Sequence, residues 1–97
     1  MTTKQRAYLK GLAMNLDPVF QIGKGGLTTE YFESVEEALE ARELIKISVL
    51  KNCMEDPKEL AFTIAGHTDA EVVQVIGKKL VLYREARQPE KRKIVLP

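Results

Sequence analysis

Apolar residues near the start of the chain recur with a helical period. Leu9, Leu12, Ala13 and Leu16 fall at i, i+3, i+4 and i+7, which places them on one stripe of a helix over residues 4–16. Thr2 and Gln5 have the spacing of a capping box. Asp17-Pro18 stops the helix, because the residue before proline is pushed out of the helical region. Val19-Phe20-Gln21-Ile22 is then a short β-branched and aromatic run, the composition of a strand. After Gly23-Lys24-Gly25-Gly26 the helical period returns over 28–42, with Phe32, Val35, Ala38 and Leu39 on its inner stripe.

The period changes to two at Leu44–Leu50. Ile45, Ile47 and Val49 alternate with Lys46 and Ser48, so this strand has one apolar face and one partly polar face. Asp56-Pro57-Lys58-Glu59 combines a cap, a proline at the first helical position and an early glutamate, which predicts a helix start. Leu60, Ala61, Ile64 and Ala65 supply its buried face, and Gly66 is placed to end it. Residues 72–76 and 80–84 read as two strands joined through Gly77-Lys78, a pairing that suits a tight hairpin turn. The predicted order is α-β-α-β-α-β-β: an α/β fold with about four strands, spanning residues 1–97 as one domain. The β-α-β unit at 19–50 is expected to be parallel and right-handed, and the last two strands antiparallel. The apolar end Ile94-Val95-Leu96 is a candidate to dock.

Composition narrows the functional classes. With 97 residues, 44% hydrophobic and 30% charged, the chain has the balance of a globular domain. No apolar run approaches the roughly 20 residues of a membrane span. The start, Met1-Thr2-Thr3-Lys4-Gln5-Arg6, has no signal-peptide core, so the cytosol is the expected compartment. One cysteine, Cys53, excludes an internal disulfide and the multi-cysteine zinc sites. His67, the single histidine, has no partner in sequence and reads as a loop residue after Gly66. No acid/base pair, nucleophile set or metal-ligand spacing is present, so neither catalysis nor a cofactor is expected.

Charge alters the picture through its distribution. The net charge is only +1, yet residues 1–27 sum to +3, 28–43 to −5, 44–54 to +2, 55–77 to −4 and 78–97 to +5. Such blocks allow one basic and one acidic face. Gly23 and Gly26 frame a G-x-x-G with Lys24 inside, leaving a strand and opening a helix. Glycines let backbone amides approach a ligand, and the helix start adds free N–H groups with partial positive charge. The arrangement suits a phosphate of a nucleic-acid backbone, although a bare G-x-x-G is more often a plain strand-to-helix turn. It is neither a P-loop nor the dinucleotide fingerprint, since no Gly-Lys-Ser/Thr closes it and Thr28 occupies the sixth position. Lys4, Arg6 and Lys10 on the first helix, Lys46 on the second strand, and Lys78, Lys79 and Arg84 around the hairpin are the cations that could extend such a contact. The six aromatics lie at core-like spacings, with Tyr8 the candidate for an exposed stacker.

Several of these segments together resemble a known family. Lys4-Gln5-Arg6, the run Ile22 to Thr28, Ala38-Leu39, Arg42-Glu43-Leu44-Ile45-Lys46, Val73 to Gly77 and Leu82-Tyr83-Arg84 resemble, in order, the CRM domain (chloroplast RNA splicing and ribosome maturation) in its stand-alone bacterial YhbY-type form. The resemblance extends over nearly the whole chain. It implies an RNA-binding module with a four-stranded mixed sheet packed by helices, similar to the C-terminal domain of translation initiation factor three. It implies association with precursors of the large ribosomal subunit, as for bacterial members; plant relatives assist group II intron splicing. The family's loop carries over onto Gly23, Lys24, Gly25 and Gly26, and its basic surface onto Lys4, Arg6, Lys10, Lys46 and Arg84. Gly25 stands where many members carry a larger polar residue, so a side-chain contact there is missing. The expected partner is therefore RNA, ribosomal RNA in particular, bound by a monomer that acts on neither membrane nor small molecule. Five neutralised phosphates on a single strand would give a log-affinity slope of about −3.5 against log salt. The competing reading is a protein-interaction module on the ribosome that uses the acidic helix or the hairpin.

Overall fold

The computed structural model describes residues 1–97. The elements are α1 (Thr3–Ala13), β1 (Phe20–Ile22), α2 (Thr29–Arg42), β2 (Leu44–Val49), α3 (Pro57–Thr68), β3 (Glu71–Ile76) and β4 (Lys79–Tyr83), followed by a 3-10 turn at Pro89–Lys91. Each helix begins where a side chain replaces a missing backbone partner. The Thr2 hydroxyl accepts from the Gln5 N–H while the Gln5 side chain accepts from the Thr2 N–H, a complete capping box. Thr28 caps α2 by accepting from the Tyr31 N–H, and Asp56 caps α3 by accepting from the Lys58 N–H.

The four strands lie in the order β1-β2-β4-β3. β1 and β2 are parallel and joined through α2; β4 is antiparallel to both β2 and β3. The period-two pattern of β2 decides what packs on which side. Ile45, Ile47 and Val49 join Val35 and Leu39 of α2, Leu60, Ala61 and Ile64 of α3, and Leu80 and Leu82 of β4 in the main core. Leu44, Val73, Val81 and Tyr83 point the other way and enclose Leu9 and Ala13 of α1 in a second, smaller core. Two helices thus cover one face and a single short helix covers the other only in part. Truncating a fully buried leucine such as Leu39 is expected to cost about 2–5 kcal/mol.

Three local expectations are corrected. α1 ends at Ala13 rather than at 16, and Leu12 stays exposed while Leu16 tucks against the smaller core. α3 runs through Gly66 to Thr68, where the Thr68 hydroxyl donates to the Ile64 carbonyl at 2.8 Å; Asp69 in the left-handed conformation, φ 58°, ends it. His67 is therefore a helical residue, stacked on Phe32 with ring centroids 3.9 Å apart. The aromatics also divide. Phe62 is exposed alongside Tyr8, while Phe20, Tyr31 and Phe32 pack against the main core.

The chain after β4 is held by carboxylates of α2 and of the residue that caps its end. Glu43 takes φ 66°, and its fully buried carboxylate accepts from the Ala86, Lys93 and Ile94 N–H groups at 2.7–2.9 Å. Glu40 accepts from the Arg87 and Gln88 N–H groups. The tail then crosses to the other face, where Ile94 and Leu96 meet the smaller core and the Pro97 carbonyl accepts from the Gln5 side chain.

Candidate nucleic-acid interface

The glycine segment is a β-turn. The Gly26 N–H donates to the Gly23 carbonyl at 3.1 Å, which puts Lys24 and Gly25 at the corners, both exposed. Gly26 has φ 68°, a conformation that favours glycine, and a side chain there would also meet the Glu55 carboxylate at 3.1 Å. Gly25 faces open space, so nothing in the protein itself excludes a side chain there. The turn sits where β1 and β2 end. The Leu50 N–H donates to the Ile22 carbonyl, and the Val49 N–H donates to the Lys78 carbonyl. The glycine turn, the segment after β2 and the β3–β4 hairpin therefore share one end of the sheet. At the hairpin tip Gly77 takes φ 54°, as a two-residue turn of this kind requires.

From that end the sheet face under α1 presents two cross-strand rows. Ile76 pairs with Lys79, Lys79 with Ser48, and Ser48 with Gln21. One step in, Gln74 pairs with Val81 and Val81 with Lys46. With strands about 4.8 Å apart, the first row spans roughly 14 Å and ends at Gln21, two residues before Gly23. The Lys79 ammonium donates to the Ser48 hydroxyl at 2.9 Å, along the row. The groove these residues form with Ala13 and Met14 contains Lys46 and Lys79 and no carboxylate. Along the flank of α1, Arg6, Lys10 and Met14 follow at four-residue spacing, leading towards this groove.

The cations expected on the surface separate into two sets. Lys24, Lys46 and Lys10 are brought to the turn, the rows and the adjoining helix flank. Lys4 is exposed at the start of α1, the end that meets Pro97, far from the turn. Arg6 is half-buried, its guanidinium donating to the carbonyls of Val72 and Val73. The β3 register shifts there by one residue, and Arg6 satisfies carbonyls at that bulge, which fastens α1 to the sheet. Arg84 is the clearest correction. Its side chain is only 7% exposed and points to the opposite face, paired with Glu36 at 3.3 Å and Glu40 at 3.2 Å and donating to the Thr68 carbonyl. A guanidinium enclosed this way cannot serve as a phosphate contact. Lys79 was not among the carried-over positions, yet it takes a central place. Its signal was parity: it lies two and four positions before Val81 and Tyr83, on the polar side that Lys46 and Ser48 mark on the partner strand.

The other face is rich in carboxylates. A groove between α2 and the tail is lined by Glu36, Glu37, Glu40, Arg84 and Arg87, and one between the glycine turn and α3 by Glu55, Glu59 and His67. Gly25 and Gly26 line that second groove themselves, so the turn has an acidic side towards α3, while the lysine rows lie on the other face at the same end of the sheet. Burial pushes the Glu43 carboxyl up, but the N–H donors of Lys93, Ala86 and Ile94, with the charge of Arg92, outweigh it and hold the pKa below the ordinary carboxylate value. Glu40 is also lowered, chiefly by the Arg87 and Gln88 N–H groups. Tyr31, packed at 5.8 Å from Phe20, has its hydroxyl pushed up to about 12 by burial. No group of three or more His, Cys, Asp or Glu side chains is placed to hold a metal ion, and no helix is long and apolar enough to cross a membrane.

Comparison with known proteins gives one consistent result. The family model described as the CRS1 / YhbY (CRM) domain matches residues 1–84. The chain is 44% identical over 97 residues to the probable RNA-binding protein YqeI of Bacillus subtilis, covering all of this chain and 99% of the relative. It is 42% identical over 97 residues to an RNA-binding protein of Haemophilus influenzae, covering all of this chain and 95% of that one. It is 34% identical over 102 residues to a probable RNA-binding protein of Methanocaldococcus jannaschii, covering 95% of this chain and 75% of the relative. Among solved structures, the solution structure of a hypothetical protein of Staphylococcus aureus aligns over all of this chain and 99% of its own, with TM-score 0.79 and 47% identity.

Proposed function

This chain belongs to the CRS1 / YhbY (CRM) domain family, and on that premise we propose that it is a non-catalytic RNA-binding protein of the cytosol. Its target is ribosomal RNA in precursors of the large ribosomal subunit, whose assembly it assists. Full-length relatives that carry RNA binding in their names support the first part. The resemblance to bacterial family members that associate with such precursors supports the second. The observation that carries the reading is the carboxylate-free lysine groove at the end of the sheet that also carries the glycine turn.

The mechanism is electrostatic. Backbone N–H groups of the turn and the start of α2 hold one phosphate, and Lys24 adds a full charge. Lys46 and Lys79 take the next phosphates across the sheet, and Lys10 extends the contact along α1. Lys4 adds only long-range attraction. Arg6 and Arg84 are structural in this scheme. Four lysines engaged on a single strand give a log-affinity slope of about −2.8 against log salt. Titration of RNA binding at several salt concentrations checks this, and a flat profile would reject it. Crosslinking in cells followed by sequencing of bound RNA identifies the target; recovery without enrichment of large-subunit precursors would remove the ribosomal assignment.

Exposed Phe62, beside Asp56, Lys58, Glu59 and Thr63 on α3, favours a second reading in which the opposite face meets a protein. Pull-down from nuclease-treated lysate separates the two, because partners held through RNA are then lost.

A further inference from the structure

Phosphate contacts leave part of the sheet-face groove unexplained. Beside Lys46 and Lys79 it exposes two large apolar side chains, Met14 at 81% and Ile76 at 60%, together with half-buried Gln74. Exposed apolar groups flanked by lysines, with no carboxylate in the lining, are poorly suited to bulk water and poorly suited to a basic partner. We propose that this groove seats an unpaired nucleobase of single-stranded RNA, the flanking phosphates resting on Lys46 and Lys79. The inference deepens the RNA-binding reading above and rests on it.

Three observations support it. First, a single strand alternates an apolar, flat base with an anionic phosphate, and the groove likewise sets exposed Ile76 and Met14 beside Lys79 and Lys46. Second, the polar group set among them is an amide, Gln74, which can both donate to and accept from a base edge. Third, the groove continues the first row, which reaches Gln21 and then the glycine turn. A strand whose phosphate is held at the turn can thus pass over the sheet without leaving the cationic surface. A base stacked inside an A-form duplex cannot enter, since the groove needs the base unstacked. The groove therefore selects single-stranded or bulged RNA. An acidic peptide shares the charge but has no regular apolar ring to place on Ile76 and Met14.

The test compares two fluorescent strands of roughly ten nucleotides, one intact and one carrying abasic residues, against the full-length protein and its variants. Ile76→Ser lies on an exposed position of the edge strand β3, and a thermal melt is the check that it folds. It is expected to weaken the intact strand about five-fold, to leave the abasic strand unaffected, and to leave the salt slope unchanged. Lys46→Ala is expected to weaken both strands and to reduce the slope by about 0.7. If the wild-type protein bound both strands equally, or if Ile76→Ser left the intact strand unaffected while Lys24→Glu weakened it, the base seat would be wrong and RNA binding would stand. If neither strand bound at low salt, both readings would fall. If polyglutamate bound with the same dependence on Ile76 and displaced the intact strand, the occupant would be an acidic protein segment and the proposal would be overturned.

Discussion

The two faces of the sheet use positive charge for different ends. On the face covered by α2 and α3, arginines are spent on the fold. Each of the five ion pairs is made by Arg84, Arg87 or Arg92, with Glu36, Glu40, Asp69 or Glu85 opposite. On the face under α1, Lys46 and Lys79 have no carboxylate in their groove. The difference follows from the side chains. A planar guanidinium satisfies several fixed acceptors at once and tolerates enclosure, whereas an ammonium on a flexible stem is strongly hydrated and stays available. Counting cations along the chain therefore misjudges a nucleic-acid surface. What matters is which cations the fold has already neutralised.

The largest expected effect breaks the arginine face. Glu43→Gln puts an amide donor against three N–H groups, one buried and two partly buried, and should destabilise the protein by about 3 kcal/mol. Chemical denaturation measures this, while RNA affinity of the folded fraction stays within two-fold, roughly 0.4 kcal/mol. Breaking the lysine face should do the reverse. The double variant Lys46→Ala, Lys79→Ala should lose about 30-fold in RNA affinity, about 2 kcal/mol, and about 1.4 from the salt slope. Its melting midpoint should remain close to wild type, because surface changes of this kind stay within about 0.5 kcal/mol. Arg84→Ala belongs with Glu43: it should cost about 2 kcal/mol of stability by removing a buried guanidinium that joins Glu36, Glu40 and the Thr68 carbonyl, and leave the salt slope unchanged. A lowered slope in Arg84→Ala would erase the distinction between the faces.

Smaller effects sharpen the comparison at the turn. Gly26→Ala should destabilise by about 1 kcal/mol, because φ 68° is strained for alanine and Glu55 lies against the new methyl. Gly25→Val meets no neighbour, so its stability should hold while RNA binding weakens several-fold through blocked access to the turn amides. The acid limb of stability reports the carboxylates. Glu43 and Glu40 both have folded pKa values below their ordinary value of 4.5. The stabilisation is therefore fully present above that value and is lost as pH falls through the lowered folded values. Glu43→Gln should flatten this limb, as measured by denaturation between neutral and acidic pH.

Much of the architecture was legible because it depends on local pattern. The alternation in Leu44–Val49 placed Lys46 and Ser48 on one face, and Thr2 and Asp56 marked the starts of the first and third helices. Strand order was not legible, since β2 and β4 meet across more than 30 residues of chain. The same distance hid the fate of Arg84 and Glu43: Arg84 lies 44 positions from Glu40, and Glu43 lies 50 from Lys93. In sequence, Arg84 is one more cation after a strand; only the packed helix α2 shows that two glutamates await it. Gly66 misled for a different reason. A glycine permits a helix to end, but here Thr68 bonding back to Ile64 and His67 lying on Phe32 favour a further half turn.

The Pro97 carbonyl rests on Gln5, so the chain's two extremities lie beside one another, at the end of the sheet remote from the glycine turn. Polypeptide joined at either extremity departs from that single corner. The module can accordingly be strung in tandem, or spliced into the loop of a host protein, with its lysine side unobstructed, and a circular permutant linking Pro97 to Met1 through a short bridge should retain the same shape.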